Sequence, residues 1–150
     1  MADAIEDFLN KVSSQLDSKQ VKVGFIDGAT YTDGTPIAEV AAINEYGDLA
    51  NHIPPRPFFR VAIGEHEDEW KDSIVKGLRA GFPVDQVLEG VGAVIANDVY
   101  LAIKAVDTPP LADFTLEKRR ERGNDSIKPL QDTREMITNV KYEVGEIEST

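Results

Sequence analysis

Val21-Lys-Val-Gly-Phe-Ile26 near the start of the chain and Val140-Lys-Tyr-Glu-Val144 near its end decide the fold class. In the first, Val21, Val23 and Phe25 alternate with Lys22 and Gly24, and Asp27-Gly28 follows as a turn signal. In the second, Val140, Tyr142 and Val144 alternate with Lys141 and Glu143. Period-two alternation of β-branched and aromatic residues predicts two strands with one buried face each. Two such strands form a stable sheet only when helices cover it. The expected class is therefore α+β, a small mixed or antiparallel sheet packed against several helices in a single domain over residues 1–150.

Between and before these strands the apolar residues recur at helical spacing. Ile5, Phe8, Leu9, Val12 and Leu16 make one stripe, so residues 1–20 carry an N-terminal helix. Pro36 opens a short helix that Gly47 ends. Asn51 to Pro57 holds three prolines, which remove amide donors and fix φ, so it reads as a stiff extended connection. Ile63, Glu67, Trp70, Ile74 and Leu78 mark a long third helix closed by Gly81 and Pro83. Val84 to Ala105 is a fourth, with a wide apolar stripe from Val87 to Ile103 and with Gly90 and Gly92 allowing close packing. Phe114 to Arg122 reads as an exposed, basic helical segment. Asp132 and Thr133 are suited to cap a helix start, and residues 145–150 form a tail.

Composition narrows the function. The 150 residues are 41% hydrophobic and 29% charged, a globular balance, and include no cysteine, so neither a disulfide framework nor a thiolate metal site is available. Sixteen basic against 27 acidic side chains give a net charge of -11, which repels phosphate backbones at long range. Met1 to Leu9 is acidic without an apolar run, and no eighteen apolar residues occur in succession, so no export signal and no membrane partner are expected.

A search for catalytic chemistry finds little. His52 and His66 lack metal-ligand spacing and read as solvated. Glu65, Glu67, Asp68, Glu69 and Asp72 could supply paired carboxylates for a hydrolase or a divalent cation, or simply a solvated helix face. There is no phosphate-binding glycine loop and no G-x-S-x-G elbow. Lys118, Arg119, Arg120 and Arg122, interrupted by Glu117 and Glu121, suit a salt-bridged secondary interface or a DNA contact.

Four segments in order, Val21 to Ile26, Tyr31-Thr-Asp-Gly-Thr-Pro-Ile37, Val40-Ala-Ala-Ile-Asn-Glu-Tyr-Gly47 and Ile53-Pro-Pro-Arg-Pro-Phe-Phe-Arg60, resemble the tail-component family of tailed bacteriophages, the tail completion or neck proteins. Thr108-Pro-Pro-Leu111, Thr115-Leu-Glu-Lys-Arg-Arg120, Pro129-Leu-Gln-Asp-Thr133 and Ile137 to Val144 resemble that family's ending, so the likeness covers residues 21–144. It implies a non-enzymatic virion subunit, made in the bacterial host cytoplasm, that forms a ring, usually a hexamer, at the head-to-tail junction. The implied partners are further copies of the chain, neighbouring connector and tail proteins, and DNA passing through without specific binding. No cofactor is implied. A tail terminator capping the tail tube is the alternative within virion assembly; a carboxylate hydrolase is the alternative outside it.

In that role Asn44, Tyr46 and Gly47, followed by Arg56, Pro57, Phe58, Phe59 and Arg60, are expected to present a rigid interface arm, with arginine and aromatics as anchors. The competing reading places Phe58 and Phe59 in the chain's own core. The loop carrying Asp27, Tyr31, Asp33 and Gly34 is expected to reach a neighbour or the ring lumen, or else to be an ordinary surface loop.

Overall fold

The computed structural model describes residues 2–25, 28–31, 33–106, 111–123 and 135–147. Helix α1 (Ala2–Ser18) leads into β1 (Lys19–Phe25), followed by α2 (Ile37–Tyr46), a 3-10 turn (Leu49–Asn51), α3 (Phe59–Arg79), α4 (Val84–Ala105), α5 (Asp113–Glu121), α6 (Glu135–Thr138) and β2 (Val140–Glu146). The architecture is α+β, as the alternating segments predict. Asp132, Thr133 and the Thr108-Pro-Pro stretch lie outside the described residues.

The two strands pair with each other, antiparallel, from Lys19 opposite Glu146 to Phe25 opposite Val140. Lys22, Lys141 and Glu143 face solvent while Val21, Val23, Val140, Tyr142 and Val144 are half-buried, which is the period of two realised. Helix α4 crosses this pair. Gly92 makes the approach possible: a Cβ there would lie 2.7 Å from Tyr142 Cδ2 and 2.9 Å from Val21 Cγ2. Gly90, by contrast, faces open space and has no packing role within the chain. Gly92→Leu is expected to cost about 1–3 kcal/mol through overpacking, seen as a lower denaturant midpoint; an unchanged midpoint would contradict this packing.

Helix α3 lies along the other side of α4, with Val87 seated over Gly77. Trp70 donates its indole N–H to Asp98 Oδ2 at 2.7 Å, so the ring fills the core while its polar tip is satisfied. The buried stripe of α3 is rotated from the expected one. Ala62 is buried and Ile63 is 43% exposed, because Phe58 is fixed inside just before the helix and the residue four positions on shares its side. Phe58, Ala62, Trp70, Val87, Val91, Val99, Ile103, Met136 and Ile137 belong to one core cluster. By length and composition α4 could cross a membrane, yet seven of its residues are buried in this fold.

Helix α1 forms where the apolar spacing predicts; the side chains of Val12 and Leu16 lie outside the described ones, and the described part of the stripe is not covered. Ile5, Phe8 and Leu9 are 61%, 47% and 59% exposed. The helix touches α4 and β1 and otherwise displays these side chains outward.

Candidate functional site

The segments Asn44-Glu45-Tyr46-Gly47 and Pro54-Pro-Arg-Pro-Phe-Phe-Arg60 meet in space, and they close on Glu45. Helix α2 stops at Gly47, whose φ of 77° is left-handed and whose absent Cβ would sit 2.8 Å from the Ile53 carbonyl oxygen and 2.9 Å from the Pro55 nitrogen. Only glycine fits. The chain then turns over the 3-10 segment, where the Asp48 carboxylate accepts from the Asn51 amide (2.7 Å) and from the backbone N–H groups of Ala50 (3.1 Å) and Asn51 (3.4 Å). The Asn51 side-chain bond, with these backbone donors, holds the Asp48 carboxyl below its usual pKa. Backbone bonds between Asp48 and Ile53 in both directions close the turn, and Arg56 N–H donates to the Asn44 carbonyl at 2.6 Å.

This path delivers the start of α3 onto Glu45, which is only 4% exposed. Its carboxylate accepts the backbone N–H groups of Phe58 (2.8 Å), Phe59 (3.0 Å) and Arg60 (3.0 Å), and the Arg60 Nε at 3.0 Å. Arg60 Nη2 donates in addition to the Glu45 carbonyl at 2.7 Å. The first amides of a helix have no partner within it and carry partial positive charge, so a carboxylate here both satisfies donors and complements the dipole. Arg60 then lies 5.1 Å over the Tyr46 ring. The two motifs are the halves of one clamp.

The clamp corrects much of the expected interface. Phe58 is 1% exposed and meets Phe25 edge to face at 6.2 Å; Phe59 is half-buried and meets Phe25 at 6.1 Å. Both belong to the chain's own interior, because the clamp draws the helix start inward. Arg56 is also buried; its pKa is lowered by burial and further by the nearby Arg119. It borders a groove of about 310 Å³ with Pro57, Val61, Glu65 and Ala102. Asn44, Gly47 and Pro57 are partly buried and hold the turn. Of the expected interface set, Tyr46 and Arg60 face outward.

Asp27 lies outside the described residues. Tyr31 is half-buried and packs against the core, whereas Asp33 and Gly34 are exposed at the tip of a small closed turn. Tyr31 N–H donates to the Thr35 carbonyl at 2.8 Å, Gly34 N–H to the Tyr31 carbonyl at 2.9 Å, and Thr35 N–H to the Asp33 carboxylate at 2.9 Å. Lys118, Arg120 and Arg122 are exposed on or beside α5, with Lys118 paired to Glu121 at 3.3 Å and lying 5.5 Å over Phe114. Arg119 is 4% exposed and turns inward, contrary to an exposed basic face, since one side of a helix that packs at all must face the body.

Glu65, Glu67, Asp68, Glu69 and Asp72 are all exposed, with Glu67 paired to Lys71 at 3.0 Å and Glu69 to His66 at 3.2 Å. This is a solvated helix face. The hydrogen bond to Glu69 raises the His66 pKa, against desolvation and with help from the charges of Asp98, Glu69 and Glu65. Among the described residues no three histidine or carboxylate side chains are gathered to hold a metal. His52 takes the left-handed conformation that ends the 3-10 turn and is exposed.

Sequence reading missed two features. Glu45 gave no local signal, because the amides it caps lie thirteen to fifteen residues downstream. The second is an open groove of about 260 Å³ between α3 and α4, lined by Ser73, Gly77, Phe82, Gln86, Gly90, Val94 and their buried neighbours. Comparison with family models, curated proteins and solved structures gave no match.

Proposed function

We propose that this chain is a structural virion subunit of a tailed bacteriophage, a tail completion or neck protein that forms a ring, usually of six copies, where the head joins the tail. The observation that carries the reading is the ordered motif set: segments scattered from residue 21 to residue 144 resemble one family, and two of them interlock around Glu45. The clamp provides a stiff body. Exposed large apolar residues on several faces, among them Ile5, Phe8, Leu9, Leu49, Phe82 and Phe114, provide surface for association.

The net charge of -11 suits a conduit through which DNA moves without adhering, since counterions screen the wall and direct phosphate contacts would retard the strand. The subunit in this reading is made in the host cytoplasm and works in the virion, bound to other connector and tail proteins, with no catalytic step. The test is a phage stock made without the chain. Filled heads and finished tails should accumulate separately. Joined, infectious particles would refute the role, and tails of irregular length would replace it with that of a tail terminator.

A further inference from the structure

We propose that the apolar face of α1 in one copy docks into the groove between α3 and α4 of the next, so that copies join head to tail. This rests on the ring-forming reading above and assigns the contact that builds the ring. Ile5, Phe8 and Leu9 stand at i, i+3 and i+4, the spacing by which an amphipathic helix enters a groove, and all three are exposed. The groove is open, and its rim carries two more exposed apolar side chains, Phe82 and Val94. Its floor at Gly90 is empty: a Cβ there would meet nothing within 4 Å. An incoming ring such as Phe8 has room.

Charge selects a second copy as the occupant. Two copies each carrying -11 repel across any charged surface, so self-association needs uncharged faces on both sides. Every residue lining the groove is uncharged. On α1, Asp3 and Asp7 fall on the side of the helix away from Ile5, Phe8 and Leu9 at roughly 100° per residue. The groove itself is free of charge, and on α1 the acid nearest the apolar face is Glu6, about 60° around the helix from Leu9.

Position makes the contact intermolecular. The chain leaves α1 near the start of α4: Lys19, the first residue of β1, pairs with Glu146 at 2.7 Å and lies 3.7 Å from Asp85, on the side where Gly92 meets the sheet. Gly90 and Val94 point roughly 160° from Gly92 around α4, so the groove opens on a different side from the helix that would fill it. A surface that fits a different surface of an identical molecule makes a heterologous contact, which closes into a ring when the rotation allows.

The chain has no native cysteine, which permits a direct test with Phe8→Cys and Gly90→Cys together in the purified full-length protein. Both positions are open in the protomer, so the fold should be retained. Mild oxidation at high protein concentration should give a ladder of covalent oligomers on a non-reducing gel, and each single variant should stop at dimers. Phe8→Cys with Leu49→Cys is the control, since Leu49 is exposed outside the groove. A ladder no stronger than this control, or an intramolecular disulfide in a monomer, would overturn the docking. Phage carrying Gly90→Leu, which fills the groove, should fail to join. Normal joining by that variant would sink the docking and leave the ring reading intact, whereas joining with no chain at all would sink the ring reading itself.

Discussion

Glu45→Ala is expected to destabilise the folded chain by about 3–5 kcal/mol. The substitution strips the acceptor from three backbone amides at the start of α3 and leaves the Arg60 Nε without its carboxylate. These donors sit in a part-buried to buried place where water replaces the lost bonds poorly. Against a typical stability of about 5–15 kcal/mol, such a loss brings the subunit near unfolding at growth temperature. Glu45→Gln keeps one acceptor oxygen and should fall between the wild type and the alanine variant. Chemical denaturation followed by circular dichroism reads both; a midpoint unchanged in Glu45→Ala would mean that the clamp does not hold the fold.

Phe58→Ala should cost about 3–5 kcal/mol as well, from lost apolar burial and the cavity left behind. Phe58 is among the largest fully buried side chains and stacks edge to face on Phe25. Phe59→Ala, at a half-buried position, should cost visibly less. The comparison separates two roles for this pair. If Phe58 were an anchor for a neighbouring copy, its removal would spare the stability of the isolated subunit and weaken only assembly. The structure predicts the opposite order: the isolated subunit loses stability first.

The strands and helices were legible because each rests on local chemistry. Val21 to Phe25 and Val140 to Val144 alternate, Val84 to Ala105 carries a broad stripe, and Gly47 sits where the chain must turn with positive φ. What escaped depends on contacts distant along the chain. The stretch from Asn51 to Pro57 is not extended throughout, since Asn51 ends the 3-10 turn and His52 is left-handed, and prolines that fix φ do not say which way the neighbouring side chains point. The Glu45 carboxylate decides that, by pulling the start of α3 inward and taking Phe58 and Arg56 with it. The same event rotates α3 so that Ala62 rather than Ile63 is buried.

On α1 the local pattern and the packing part company. Periodicity identified its apolar face, and a single-chain reading would cover that face with the rest of the fold. Ile5, Phe8 and Leu9 remain exposed, so the pattern that predicts a helix does not by itself say what covers its apolar face. Arg56 and Phe58, expected in an interface, are internal, whereas Ile5, Phe8 and Leu9 are exposed.

The most direct measurement is a reconstruction of the head-to-tail junction in intact particles. The account predicts a closed ring of this chain there, with Glu45 capping α3 inside every protomer and α1 seated on the neighbour. A junction from which the chain is missing would contradict it.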